Sequence, residues 1–436
     1  MKLNSETYKK GAIHSSFFSV LAKGVAFMQH LLIAYYFGAN TGTDLYFYLF
    51  NLVIMIGGMI QTITTSILIP QSMLLRHSIS TKAEMKYLNA FMYSFIFIIF
   101  LLIFLVSLGG DKVPELITNF PTDEIKKYIS IYYASLILMI LMATNLYLTE
   151  ILVSFKFFSL PLVCNLLLNG GIIFALLLFN NTIGVVSMIY GSCIASVINI
   201  IILIILMRRK LQWKFFLVDF SVISSQWKSI ALLAINQGVV IFSSTFPMYL
   251  LSYYQPGVIT IINYAQKFIQ APLAWIQQFT AVLQIKLNNL KSNRKENEIY
   301  QSASQIAIRL FLLTLFTSLV IFLLRDFIAE TLFGLGKMPI EAGNKLSHLI
   351  GLLTFSMPFT AMSLAYMKVF FTQGYIRQYI SIMVFVNIIS CIMYAVSIYY
   401  WQENGYAFVY IFIEMLTTLI IWLYLQKRLE KKIHHL

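Results

Sequence analysis

Apolar runs of about 20 residues, each long enough to cross ~30 Å of hydrocarbon as a helix, recur along the whole chain. Helices satisfy their own backbone hydrogen bonds, so runs of this length fold as membrane-spanning segments. Of the 436 residues, 59% are hydrophobic and 11% charged, far from the balance of soluble domains. The runs fall at about 13–37, 45–74, 88–108, 128–153, 157–179, 183–207, 229–254, 258–284, 304–324, 346–372, 378–400 and 405–425. The expected fold is an all-α polytopic membrane protein of about 12 transmembrane helices. The abundant Phe and Tyr are expected to supply interfacial belts.

The first sixteen residues are basic and polar, and the apolar stretch behind them shows no small-residue cleavage site. A retained first helix is expected rather than a signal peptide. The net charge of +14 does not form a polyanion-binding face, because the cations are spread over short loops. No nucleic-acid partner is expected. Cys164, Cys193 and Cys391 each sit inside an apolar run and read as small core residues, with neither disulfide nor metal spacing. Phosphate-loop, zinc and nucleophile motifs are missing. The chain reads as a non-enzyme with no resident cofactor.

An even number of spans puts both termini on one side. The loops on that side carry about 21 Lys and Arg, including Arg76, Lys82, Lys86, Arg208, Arg209, Lys210, Lys214 and Lys228. The opposite loops carry about six: Lys112, Lys126, Lys127, Arg325, Lys337 and Lys345. The positive-inside rule then places both termini in the cytoplasm.

A shift of 218 residues, half the chain, superimposes the expected span starts near 88, 128, 157 and 183 on 306, 346, 375 and 401. Tyr35, Tyr36, Tyr46 and Phe50 meet Tyr253, Tyr254, Tyr264 and Phe268 under the same shift. Two parallel repeats are expected: six-helix bundles at 1–207 and 229–436, joined by a basic cytoplasmic linker at 208–228 and arranged around a central cavity. Transporters of this type bind near mid-depth between repeats. The linker itself reads as a solvated loop that sets orientation.

Two intramembrane cations are the sharpest signal. Lys23 lies about 15 Å from the cytoplasmic end of its span and Lys267 about 13 Å from the outer end of its own, at ~1.5 Å per residue. A charge at that depth faces water or a partner by default, and snorkelling does not cover such distances. Both are assigned to a cationic substrate cavity. Gln29, His30, Asn51, Gln61, Asn236, Gln237, Asn263, Gln266 and Gln270 are assigned to its polar lining. Of these, Asn263, Gln266 and Gln270 fall with Gln277 on one helix face. Asp44, His14, Glu414, Pro247 and Pro272 are candidates for coupling or gating. Pro161 and Pro358 are expected to kink their spans, Glu150 to sit wet near a helix end, and Lys368 and Arg309 to snorkel.

The segment Phe37-Gly38-Ala39-Asn40-Thr41-Gly42-Thr43-Asp44-Leu45-Tyr46-Phe47 resembles the FGA…TDAFF signature of the MviN/MurJ lipid II flippases in the MOP exporter superfamily. Tyr264-Ala265-Gln266-Lys267-Phe268-Ile269-Gln270-Ala271-Pro272 is similar to that family's YADRLMEFP stretch. The resemblance puts Lys267 and Lys23 on arginines of the family's cavity. It departs at Gln29, where the family has arginine, at Gly57-Gly58, where it has an Arg-Arg pair, and in having twelve spans rather than fourteen. Those departures resemble the Wzx-type O-antigen flippases of the same superfamily.

That resemblance implies a bacterial inner-membrane flippase moving an undecaprenyl-pyrophosphate-linked oligosaccharide, the O-antigen of lipopolysaccharide or another surface polysaccharide repeat unit, to the periplasmic leaflet by alternating access. Its implied partners are that anionic lipid-linked glycan, membrane lipids and polysaccharide polymerase or assembly proteins. H⁺, Na⁺ or the membrane potential are candidate energy sources. The alternatives are a MurJ-like lipid II flippase, a MATE-like small-molecule exporter and a non-transporting scaffold of a polysaccharide assembly complex.

Overall fold

The computed structural model describes residues 8–293 and 296–433, leaving aside the side chains of 8–17, 224–225, 275, 278, 281–282, 285, 296–297 and 429–433. Helices make up nearly all of the described residues. Helix α1 covers Tyr8–Phe37, α2 Thr41–Ser78, α3 Thr81–Leu108, α4 Ile129–Ser154, α5 Leu160–Ile183 and α6 Val186–Leu211. Helix α7 covers Ile223–Leu251, α8 Val258–Ser292, α9 Glu298–Phe333 and α10 Ile340–Gln373. The chain divides into two compact units, Met1–Thr245 and Phe246–Leu436, and the division falls inside α7.

Local chemistry explains the turn between α1 and α2. Gly38 closes α1 with a φ of 65°, left-handed backbone that glycine adopts without strain. Asn40 then caps α2: its Oδ1 accepts from the Thr43 amide at 3.1 Å, and the Thr43 hydroxyl accepts from the Asn40 amide at 3.0 Å. This reciprocal box satisfies two orphan donors of the helix start. A Cβ on Gly42 would come within 2.7 Å of the Tyr128 ring. Much of the 37–47 motif is therefore turn, cap and close approach.

In the first unit, α2 packs on α4, α4 on α6, and α5 against both α6 and α1. Small residues set the closest approach. A Cβ on Gly191 would lie 2.6 Å from the Ala175 Cβ and 2.8 Å from the Gly171 carbonyl, and one on Gly171 would lie 2.5 Å from the Ala195 Cβ. Such small-residue contacts let helix backbones meet where lipid supplies no hydrophobic drive. Helix α2 widens to a π turn at Thr64–Leu68, just before Pro70. Thr62, Thr64 and Thr65 return their hydroxyls to the Gly58, Ile60 and Gln61 carbonyls at 2.8, 2.7 and 3.0 Å, the local compensation for a disturbed ladder.

Ten stretches of the described residues are long and apolar enough to span a membrane. One of them, Ile376–Arg428, runs 53 residues, about 80 Å if straight. It is not straight. Gln402 has non-helical backbone at φ 50°, and the Ser397 hydroxyl donates to the Gly405 carbonyl at 3.1 Å. Eight residues apart along one helix would be about 12 Å apart, so the chain reverses there into two antiparallel helices, α11 (376–401) and α12 (403–433). Tyr394 stacks on Tyr406 across this hairpin at 5.4 Å. With that division, and with α8, which is too polar to count among the ten, twelve long helices stand among the described residues.

In the second unit α8, α9, α10 and the α11–α12 hairpin pack together. Helix α10 breaks at a 3-10 turn, Thr354–Ser356. Pro358 has no amide to return to Thr354, and the Ser318 hydroxyl of α9 donates to that carbonyl instead, at 2.8 Å. Pro161, by contrast, sits in the first turn of α5. There its missing amide is no loss, so the kink expected at Pro161 does not occur.

Candidate functional site

The polar residues expected to line one cavity fall into two groups with different surroundings. In the first unit most are enclosed. Gln29 is 2% exposed, and its Oε1 is among the buried polar atoms without a hydrogen-bond partner. His30 is also buried, its Nδ1 2.8 Å from the Ala26 carbonyl and its ring stacked on Phe47 at 5.6 Å. Asp44 lies buried in the first turn of α2, where the helix dipole favours a carboxylate. Asn51 is half-buried. Lys23 alone of this set is exposed. The His14 side chain lies outside the described residues.

Gln61 has a specific use. Its Nε2 donates to Glu150 Oε1 at 2.5 Å, joining α2 to α4. Glu150 is 9% exposed, which corrects the expectation of a wet carboxylate near a helix end. Four residues further on, Ser154 accepts from Arg76 at 3.1 Å, and Arg76 forks onto Glu84 with its Nε at 2.7 Å. Arg76 also lies 3.6 Å over the Phe155 ring. Sequence reasoning missed the Gln61–Glu150 and Arg76–Glu84 pairs. Opposite polar groups on different apolar helices were visible, but not which helices touch.

The second unit presents its polar residues differently. Asn263 is buried and donates to the Ile259 carbonyl at 2.9 Å. Gln266 is half-buried and donates its Nε2 to the Tyr406 hydroxyl. The next residue, Lys267, is half-buried, and further along Gln270 and Gln277 are exposed. Along α8 the polar row thus emerges from the core onto the surface. Pro272 lies inside α8 beside that row, and Pro247 inside α7. Asn236 and Gln237, on the stretch of α7 that belongs to the first unit, are half-buried. Glu414 on α12 lies among Thr360, Tyr379, Tyr394 and Tyr410. Lys368 sits 6.0 Å over Phe371, and Arg309 is exposed.

An exposed row of amides beside a lysine, midway along a membrane helix, is expensive against acyl chains. It fits a watered surface able to bind an anionic, hydroxyl-rich group by charge and amide hydrogen bonds. Lys23 offers a cation on the first unit and Lys267 one on the second. No group of three or more potential metal ligands occurs among the described residues.

The fold defines a multi-pass membrane protein. The family model for lipid II flippase MurJ matches residues 33–436. The chain belongs to the MurJ lipid II flippase family. Among solved structures, lipid II flippase MurJ in an inward closed conformation shares the fold with a TM-score of 0.80 at 17% identity, over 95% of this chain and 87% of that one. An inward-facing MATE family multidrug transporter of the MOP superfamily gives 0.77 at 12% identity, over 96% and 98%. A MOP superfamily transporter from Pyrococcus furiosus gives 0.61 at 13%, over 97% and 96%. None of the curated proteins matches by sequence.

Proposed function

We propose that this protein flips lipid II, the undecaprenyl-pyrophosphate-linked peptidoglycan precursor, across the bacterial inner membrane, with both termini in the cytoplasm. The family match favours lipid II over the O-antigen unit that the departures at Gln29 and Gly57-Gly58 had suggested. Gly57 has a packing reason of its own: a Cβ there would meet Leu146 at 2.9 Å, on the face α2 turns to α4. Losing an arginine at that position says more about helix contact than about substrate.

The observation that carries the reading is the α8 row, Lys267, Gln270 and Gln277, half-buried to exposed in a membrane helix. The lipid tail stays in the bilayer while the pyrophosphate and sugars cross. An unpaired phosphate in a low-dielectric interior is very unfavourable. Lys267 and Lys23 offset that cost, and the amides accept and donate to sugar hydroxyls. The interior-negative potential favours outward movement of an anion by ~2.3 kcal/mol per charge per 100 mV.

The deciding experiment reconstitutes the purified protein in liposomes with lipid II or with an undecaprenyl-pyrophosphate O-antigen unit on the cytoplasmic face. Lipid II movement that Lys23→Ala and Lys267→Ala each reduce supports the proposal. Movement of the O-antigen unit alone would reassign the substrate. Full activity of both lysine variants, with normal expression, would overturn the cationic surface.

A further inference from the structure

The segment between α6 and α7, which its composition suggested is a solvated loop, is fastened to the helices beside it. Trp213 is buried, and its indole donates to Asn89 Oδ1 at 2.9 Å. The Asn89 amide in turn donates to the Lys214 and Leu217 carbonyls, both at 2.8 Å. The Tyr93 hydroxyl donates to the Phe215 carbonyl at 3.2 Å, and Trp213 packs edge-on to Phe155 at 6.1 Å. Three consecutive linker positions, Trp213 to Phe215, and Leu217 are thereby fastened to α3 and to the end of α4.

Between these pins, Phe216 is turned outward and 90% exposed. Holding the backbone on both sides denies it the inward rotation that would bury the ring. Phe220 and Trp227 are exposed along the same segment. Their setting is basic: Arg208, Arg209, Lys210, Lys214 and Lys228 are all exposed. The acid of the stretch, Asp219, is engaged by the Ser221 amide at 3.1 Å and hydroxyl at 2.6 Å. Those bonds hold its carboxyl below its ordinary range.

Height along the helix identifies what meets the ring. Asn89 is eight residues, about 12 Å, from the start of α3, where the apolar run of that helix begins. The pinned loop therefore lies level with the edge of the hydrocarbon. Aromatic rings sit there, and clusters of four or more Lys and Arg beside a helix end attract anionic headgroups.

We propose that residues 208–228 form a membrane-surface anchor, in which Phe216, Phe220 and Trp227 enter the headgroup boundary and the flanking cations bind anionic phospholipid of the inner leaflet. Charge complementarity selects a phospholipid surface rather than a soluble acidic protein, because the aromatic rings and the cations share one segment at interface height.

The test places a spin label at Phe216→Cys in the full-length protein carrying Cys164→Ala, Cys193→Ala and Cys391→Ala, in nanodiscs containing phosphatidylglycerol. Collision with oxygen exceeding collision with a water-soluble nickel chelate supports the anchor. Dominant collision with the chelate means a solvated loop and overturns it. Low collision with both means a protein surface covers the ring, and this also overturns it. Independently, native mass spectrometry of protein carrying Arg208→Gln, Arg209→Gln, Lys210→Gln and Lys214→Gln is expected to show phosphatidylglycerol retention falling roughly fivefold per charge removed. Unchanged retention would sink the electrostatic half. Neither readout depends on what is transported.

Discussion

In α2, Gln61 meets Glu150 on the neighbouring helix and three threonines bend back to their own carbonyls. In α8, which the 218-residue shift pairs with α2, Gln266 meets Tyr406, but Gln270 and Gln277 stand exposed. Under that shift Tyr46 of one helix meets Tyr264 of the other, and both rings are buried. Their polar groups have been put to different ends. One set holds a unit together, and the other equips a unit's surface. A polar side chain in a membrane helix is therefore not by itself a sign of substrate contact, since the cheapest use of an intramembrane amide is another helix.

The largest expected effect lies in the first unit's packing. Gly191→Leu would force a side chain into the 2.6 Å and 2.8 Å approaches to Ala175 and Gly171. Overpacking of this kind costs about 1–3 kcal/mol and occasionally more, and backbone on one side leaves little room to relax. The variant is expected to lose most folded protein on size-exclusion chromatography in detergent. At the shifted position, the second unit has Val409, buried with a side chain of its own. Val409→Leu is expected to survive the same assay, and equal loss in both would erase the contrast in how the units pack.

Next comes the exposed row. Lys267→Ala is expected to reduce lipid II movement roughly 30-fold, the lower end of what removing one partner of a desolvated charge pair costs. Thermal unfolding should stay close to wild type, because the Lys267 site is half-buried rather than core. Gln270→Leu combined with Gln277→Leu should lower transport while leaving stability unchanged or raised. A drop in melting temperature without a transport defect would move α8 into the structural class occupied by α2.

The third prediction is the mirror of that. Gln61→Leu should destabilise the first unit by about 1–3 kcal/mol, because it strips a buried acceptor of its donor. Adding Glu150→Leu should recover much of the loss, since replacing both partners by apolar groups is often near neutral. A transport defect persisting in the stable double variant would show that the pair does more than join α2 to α4.

How far the sequence carried this contrast can be judged residue by residue. Run length gave the helices, because hydrocarbon thickness fixes it. Periodicity placed Asn263, Gln266, Gln270 and Gln277 on one face of α8, and the structure keeps them on one row. Burial was out of reach, since it depends on which helix arrives opposite. Gln29 and His30 were legible only as polar groups on the first span, and that both are enclosed was not. Glu150 was placed in water because helix ends are usually wet, whereas α2 delivers Gln61 there. Likewise, composition made the linker a soluble loop, and only the Asn89 and Trp213 contacts show it clamped.

The smallest effect sharpens the comparison at the one point where α8 behaves like α2. Gln266 donates to the Tyr406 hydroxyl on the hairpin helix α12, the second unit's counterpart to the Gln61–Glu150 link. Both partners are neutral, so the bond is worth about 1 kcal/mol net. Tyr406→Phe keeps the ring that stacks on Tyr394 and Tyr410 and deletes only the acceptor oxygen. The expected loss of stability is therefore about 1 kcal/mol, read as a small shift in melting temperature, with transport unchanged. A large transport defect in Tyr406→Phe would mean that Gln266 belongs to the exposed row, its hold on Tyr406 being one position in a working cycle.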